Sequence, residues 1–167
     1  MKSAGVFFGS DTGVTEEVTN ILIENWEGHI DKHEITNVSK DDFTSYDLIF
    51  LGISTWYDGD LQSDWETFFE DFKQIDFTNK TIAIYGLGDQ IGYGDYFIDG
   101  VGILAEVVEQ NGGRLIGEWS TADYDFSESK ADKGNGFFYG LAIDHDNQEE
   151  LTDDRIEQWL EQIRGEL

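Results

Sequence analysis

The sequence predicts an α/β fold: a doubly wound parallel sheet of five strands with helices on both faces. Three observations carry that expectation. Short apolar runs alternate with amphipathic stretches along the whole chain, which is the pattern of βαβ units. The run Leu48-Ile49-Phe50-Leu51-Gly52-Ile53 is continuously apolar, as a strand covered on both faces must be. Val14, Val18, Ile21, Leu22 and Trp26 recur three or four residues apart and so mark one face of a helix. At 167 residues the chain has the size of one domain, residues 1–167, large enough to bury a core.

The elements follow in order. A first strand is expected over about Gly5–Gly9 and a first helix over Gly13–Glu27, broken by Gly28-His29. Glu34–Val38 reads as a short second strand and Leu48–Ile53 as the third. Ser63 and Glu66 have the spacing of a capping box, and Trp65, Phe68, Phe69 and Phe72 give the helix they open its buried face. Thr81–Leu87 is the fourth strand. A helix over Phe97–Gln110 stops at Asn111-Gly112-Gly113. Arg114–Glu118 begins a fifth strand, a polar segment over Trp119–Gly136 interrupts it, and Phe137–Ile143 resumes it. The last helix is expected to start with Thr152 as N-cap, Leu151 and Ile156 forming a staple, and Ile156, Trp159, Leu160 and Ile163 as the core stripe.

Composition narrows the function. The chain has no Cys, so disulfides, thiolate metal sites and cysteine-held iron–sulfur clusters are excluded, and redox work would need an organic cofactor. With 36 acidic and 10 basic residues the formal charge is −26. Such a field repels nucleic acid and anionic membrane surfaces and attracts basic partners. It is also large enough to suggest a salty cytoplasm. Met1-Lys2-Ser3 leads into an apolar run broken by Asp11, unlike a secretory leader, and no run is long enough to span a bilayer. A cytoplasmic protein is expected.

In a doubly wound sheet, ligands bind beyond the carboxyl ends of the strands. Three loops leave that end: 10–15, 54–60 and 88–97. The first opens straight into a helix, whose free N–H groups and dipole favour an anion. Ser10, Thr12 and Thr15 add hydroxyls, Gly13 permits close approach, and no lysine is present. A triphosphate loop would carry one, so a single phosphate held by neutral donors is expected. Trp56 and Tyr93 follow strand ends and sit among Gly and Asp, placed to sandwich a flat ring. Offset stacking contributes about 0.5–1.5 kcal/mol per pair.

These residues carry a family resemblance. Ser10-Asp11-Thr12-Gly13-Val14-Thr15 resembles the flavodoxin phosphate loop, T-x-T-G-x-T, with Ser in the first position. Thr55-Trp56 and Gly88-Asp89-Gln90-Ile91-Gly92-Tyr93 are similar to the two flavin-flanking loops, and Leu151-Thr152-Asp153-Asp154-Arg155-Ile156 to the family's last helix start. The interrupted fifth strand is like that of long-chain flavodoxins. The resemblance covers essentially the whole chain and implies strand order 2-1-3-4-5, a placement carried over from the family.

The resemblance also implies a low-potential one-electron carrier with non-covalently bound FMN, not an enzyme. Ser10, Asp11, Thr12, Gly13, Val14 and Thr15 would hold the phosphate. Ser54, Thr55, Trp56, Tyr57, Asp58 and Gly59 would form one flavin loop, and Gly88, Asp89, Tyr93, Tyr96 and Phe97 the other, with Trp56 and Tyr93 on opposite ring faces. Asp146 would touch the ribityl chain, and no metal is implied. The Tyr57–Asp58 peptide would face flavin N5 and turn on reduction. A small residue is common where Tyr57 stands, and a bulky one in a left-handed turn is strained. Implied partners are basic-surfaced redox proteins, such as a ferredoxin-NADP reductase, with low-potential donors and acceptors, met by a monomer. A carboxylate about 10 Å from the ring, at an effective dielectric of about 20, would oppose added negative charge by about 1.7 kcal/mol. That is about 70 mV for one electron before screening.

The rival from another class is an FMN-dependent quinone or NAD(P)H oxidoreductase, but no basic residue lies in the loops to receive a nicotinamide's phosphates. A third is a non-redox flavin-binding module. Gly86-Leu87-Gly88-Asp89-Gln90-Ile91-Gly92 has one residue too many for G-x-G-x-x-G. Asp123-Tyr124-Asp125 and Asp144-His145-Asp146 lack the Gly and Glu of a calcium loop, and His29 and His33 read as solvated. A receiver domain wants Asp at the end of the third strand, where this chain has Gly52-Ile53-Ser54.

Overall fold

A computed structural model describes residues 3–167; Met1 and Lys2, which open the stretch read as unlike a secretory leader, lie outside them. Five parallel strand positions run in the order β2-β1-β3-β4-β5. They are β1 (Ala4–Phe8), β2 (Ile30–Glu34), β3 (Leu48–Trp56), β4 (Thr81–Leu87) and a divided β5 of Arg114–Ile116 and Leu141–Ile143. Helices α1 (Val14–Asn25) and α5 (Thr152–Glu166) cover one face, and α2 (Ser63–Phe72) and α3 (Asp99–Gln110) the other. A short α4 (His145–Gln148) follows β5.

Strand alternation divides the core. Val6, Leu48, Phe50, Ala83 and Tyr85 point to the α1/α5 side, where Val18, Leu22, Trp159 and Leu160 meet them. Phe7, Ile49, Leu51, Ile82 and Ile84 point to the α2/α3 side, against Trp65, Phe72, Val101 and Leu104. Both sets are buried, which explains the continuous apolar runs. Each large apolar side chain contributes about 1.5–3 kcal/mol by leaving water. Phe50 packs edge-on against both Trp26 and Trp159, and truncating it to Ala would cost about 3–5 kcal/mol.

Several expected boundaries move. The second strand is Ile30–Glu34, not Glu34–Val38. It is an edge strand paired only to β1, so its outward residues can be polar, and the apolar Ile35 lies in a 3₁₀ turn over Ile35–Asn37. The third strand continues through Ser54-Thr55-Trp56, because Asp60–Leu61 folds back antiparallel on its end. The α2 cap is Gln62, whose Oε1 accepts the Trp65 N–H, not Ser63. Phe69 is only half-buried. Helix α3 starts at Asp99, two residues later than expected. Thr152 makes no capping hydrogen bond; Leu151 is the flanking residue, because a 3₁₀ turn over Glu149–Leu151 leads directly into α5.

The fifth strand is interrupted as expected. At Gly117 (φ +81°) the chain leaves the sheet, pinned by Trp159 Nε1–H donating to its carbonyl and by Glu166 accepting its N–H. Trp119–Ser120 pairs antiparallel with Phe137–Phe138 in a separate small sheet, and Leu141–Ile143 then rejoins β4. Strand character therefore does not run unbroken from Phe137 to Ile143.

Candidate flavin site

The carboxyl ends of β1, β3 and β4 open onto a cleft of about 210 Å³. One wall comes from the β1–α1 loop through Asp11, Thr12, Val14 and Thr15, and another from Ser54, Thr55, Trp56 and Tyr57 at the end of β3. Gly88, Asp89 and Tyr93 follow β4, and Asp146 joins them from α4. Twelve expected residues thus meet around one space. Leu87 and His145 line it too; the strand ends at Leu87, and nothing in the pattern around His145 distinguished it from an acidic surface turn.

The first loop is shaped for an anion. Gly13 stands before α1 in the left-handed region (φ +91°), open space lies where its Cβ would be, and no side chain caps the helix. The first-turn N–H groups are therefore left without a capping oxygen, while Val14 and Thr15 line the cleft. Ser10 is turned inward to accept the Gly13 N–H at 3.0 Å, so it shapes the loop and leaves the lining to its neighbours.

Trp56 reaches the cleft from the end of β3 and Tyr93 from the loop after β4, Tyr93 being 47% exposed. The Trp56 indole Nε1 is buried with no hydrogen-bond partner, while the residue itself lines the cleft. Tyr57 is 65% exposed and sits at φ +47°, the left-handed conformation that costs a non-glycine residue about 1–2 kcal/mol. Asp58 and Gly59 complete this turn, outside the cleft lining; Asp58 lines an adjoining groove with Tyr93 and Tyr96. Tyr96 lies beside Gly59 and not in the cleft.

Phe97 takes a different place from the one expected. It is 1% exposed and packs against Tyr124, Phe126 and Phe138. Its side chain supports the loop from behind, a contact created by the folded insertion and invisible in local sequence.

The carboxylates of the cleft differ. Asp89 is partly buried, which raises its pKa, but the Gly92 N–H, the Asn147 amide and the Ile91 N–H outweigh this and hold it below the usual range. Asp146 moves the other way: partial removal from water, then the charges of Asp89 and Asp144, push it up, with His145 opposing. No group of three or more His, Cys, Asp or Glu among the described residues could hold a metal ion.

The family model described as Flavodoxin matches residues 6–159. Flavodoxin 1 of Escherichia coli K12 is 44% identical over 168 residues, covering 100% of this chain and 96% of the relative. Flavodoxin of Nostoc sp. PCC 7120 is also 44% identical, covering 99% and 98%. Among solved structures, Fusobacterium nucleatum flavodoxin bound to flavin mononucleotide superposes with a TM-score of 0.94 at 29% identity, over 100% of this chain and 99% of that one. With this likeness sustained from end to end, the chain belongs to the flavodoxin family.

Proposed function

We propose that the protein binds one FMN in the cleft and carries one electron at a time between larger redox proteins. The observation that carries the reading is a juxtaposition: an uncapped helix start bordered by hydroxyl donors, beside two aromatic residues, Trp56 and Tyr93, that line the same cleft. This donor set fits a phosphate joined to a flat ring, the combination in the FMN bound by the Fusobacterium relative. FMN supplies chemistry that protein side chains lack, accepting and releasing electrons singly. The chain's own residues bind, orient and shield. The β1–α1 loop would hold the phosphate, Trp56 and Tyr93 would flank the ring, and the Tyr57–Asp58 turn would border its exposed edge.

The finer assignments belong to the same reading. Residues 1–167 act as one FMN-binding unit, a monomer working in the cytoplasm. The −26 charge suits basic-surfaced partners such as a flavin reductase. Tyr57, Ile91 and Tyr93, exposed by 65%, 63% and 47%, offer those partners apolar contact beside the cleft. No helix among the described residues is long and apolar enough to cross a membrane.

Titration of the apoprotein with FMN and with riboflavin, followed by flavin fluorescence, tests the site. FMN is expected to bind one to one and far more tightly than riboflavin, and Trp56→Ala and Tyr93→Ala should each weaken it. Equal affinity for both flavins would overturn the phosphate assignment, and unchanged affinity in both variants would overturn the sandwich.

A further inference from the structure

Asp11 puts a carboxylate inside a loop that, on the proposed reading, receives a phosphate. A carboxylate close to a bound phosphate repels it, so where this carboxylate is held bears on how well the loop can hold an anion. The structure shows where it goes. Asp11 Oδ1 accepts hydrogen bonds from Ser63 Oγ–H at 2.7 Å and from Gln62 Nε2–H at 2.9 Å. Both donors stand at the start of α2, so the charge also lies by the positive end of that helix.

Gln62 is itself immobilised. It is fully buried, its Oε1 accepts the Trp65 N–H, its Nε2 is shared with Asp64, and its backbone N–H bonds the Ser54 carbonyl. A Cβ on Gly9 would fall 2.0 Å from Gln62 Oε1, so the amide lies directly against the backbone that leads into the loop. The α2 cap and the β1–α1 loop are thereby joined through one carboxylate.

We propose that Gln62 and Ser63 are positioning residues for phosphate recognition: they fasten the Asp11 carboxylate to the α2 N-terminus and so keep the α1 N–H cradle available to the phosphate of FMN. The inference rests on the FMN reading above. Neither residue lines the cleft itself; they act through Asp11, which does.

The test is a double-mutant cycle on the apoprotein, with FMN and riboflavin as probes and urea unfolding of the apoprotein as a structural control. Ser63 is exposed, so Ser63→Ala should fold normally. It is expected to weaken FMN binding about three- to tenfold, the effect of losing one ordinary hydrogen bond, while riboflavin binding and the apoprotein's urea midpoint stay unchanged. In an Asp11→Asn background, where no charge needs placing, Ser63→Ala should change FMN affinity less than about twofold. Gln62→Leu provides a second entry to the cycle, with its loss of FMN affinity likewise smaller beside Asp11→Asn. Equal weakening of both flavins, or a loss that persists in full in the Asp11→Asn background, would overturn the inference while leaving FMN binding intact. A wild-type apoprotein that does not distinguish the flavins would instead overturn the reading beneath it.

Discussion

Gly59 and Asp99 are in direct contact: a Cβ atom on Gly59 would stand 2.7 Å from Asp99 Oδ2. The turn at the cleft edge thus rests on the first residue of α3. Gly59 also has φ +87°, which side-chain-bearing residues rarely adopt. Gly59→Ala should therefore lower the unfolding free energy by about 1–3 kcal/mol, read as a lower urea midpoint. A midpoint equal to wild type would show that the turn moves off Asp99 at no cost.

The Asp99 carboxyl itself is pushed up in pKa, first by burial and then by Glu128, against the Lys130 N–H and ammonium. A carboxyl raised on folding costs stability when ionised. The cost is fully present above the folded pKa and disappears as pH falls through that value towards the unfolded one. Asp99→Asn, which keeps an oxygen for the Lys130 N–H, should raise the urea midpoint at pH 7. The advantage should shrink as pH drops through the carboxylate range. An advantage that grows on acidification would contradict the sign.

Tyr57 sits at φ +47°, and Gly removes that strain while adding about 0.5–1 kcal/mol of unfolded-state entropy. The two nearly cancel in stability, so redox behaviour is the informative readout. If the Tyr57–Asp58 peptide turns on reduction, Tyr57→Gly should widen the separation between the two one-electron potentials of the FMN-loaded protein. A separation unchanged or narrower would remove the strain argument.

The −26 charge acts in opposite directions on folding and encounter. Self-repulsion opposes the compact state, whereas the same field draws in a basic partner. At 1 M salt the Debye length is about 3 Å, so both effects are largely screened. Sodium chloride should raise the urea midpoint and lower the rate of reduction by a basic reductase. A midpoint that is flat or falls from low to molar salt would show that self-repulsion does not limit stability, and would remove the case for a salt-adapted host.

What could be read from the sequence was what local pattern controls. Strand β4 came out with its observed ends because both faces are buried and its flanks are polar. The edge strand β2 leaves no such pattern, because one buried residue, Ile30, cannot set a period. Residues 54–56 read as a loop because the pairing of Trp56 with Asp60 depends on a hairpin that closes outside the local pattern. In the site, Trp56 and Tyr93 stood out as aromatics among Gly and Asp. Phe97 did not betray its packing on Tyr124 and Phe138, which needs the insertion to fold back. Gln62 gives no signal either: Asp64 and Trp65 are local partners in the first turn of α2, and the distant partner, Asp11, meets it only once α2 docks against the first loop.

Whether this chain makes FMN a one-electron carrier is read most directly by potentiometric reduction of the FMN-loaded protein, followed by absorbance. Two resolved one-electron steps are expected, the second at low potential because the cleft lies among carboxylates such as Asp89 and Asp146. A single two-electron step, joined to steady turnover of a nicotinamide with a quinone by the pure protein, would contradict the account.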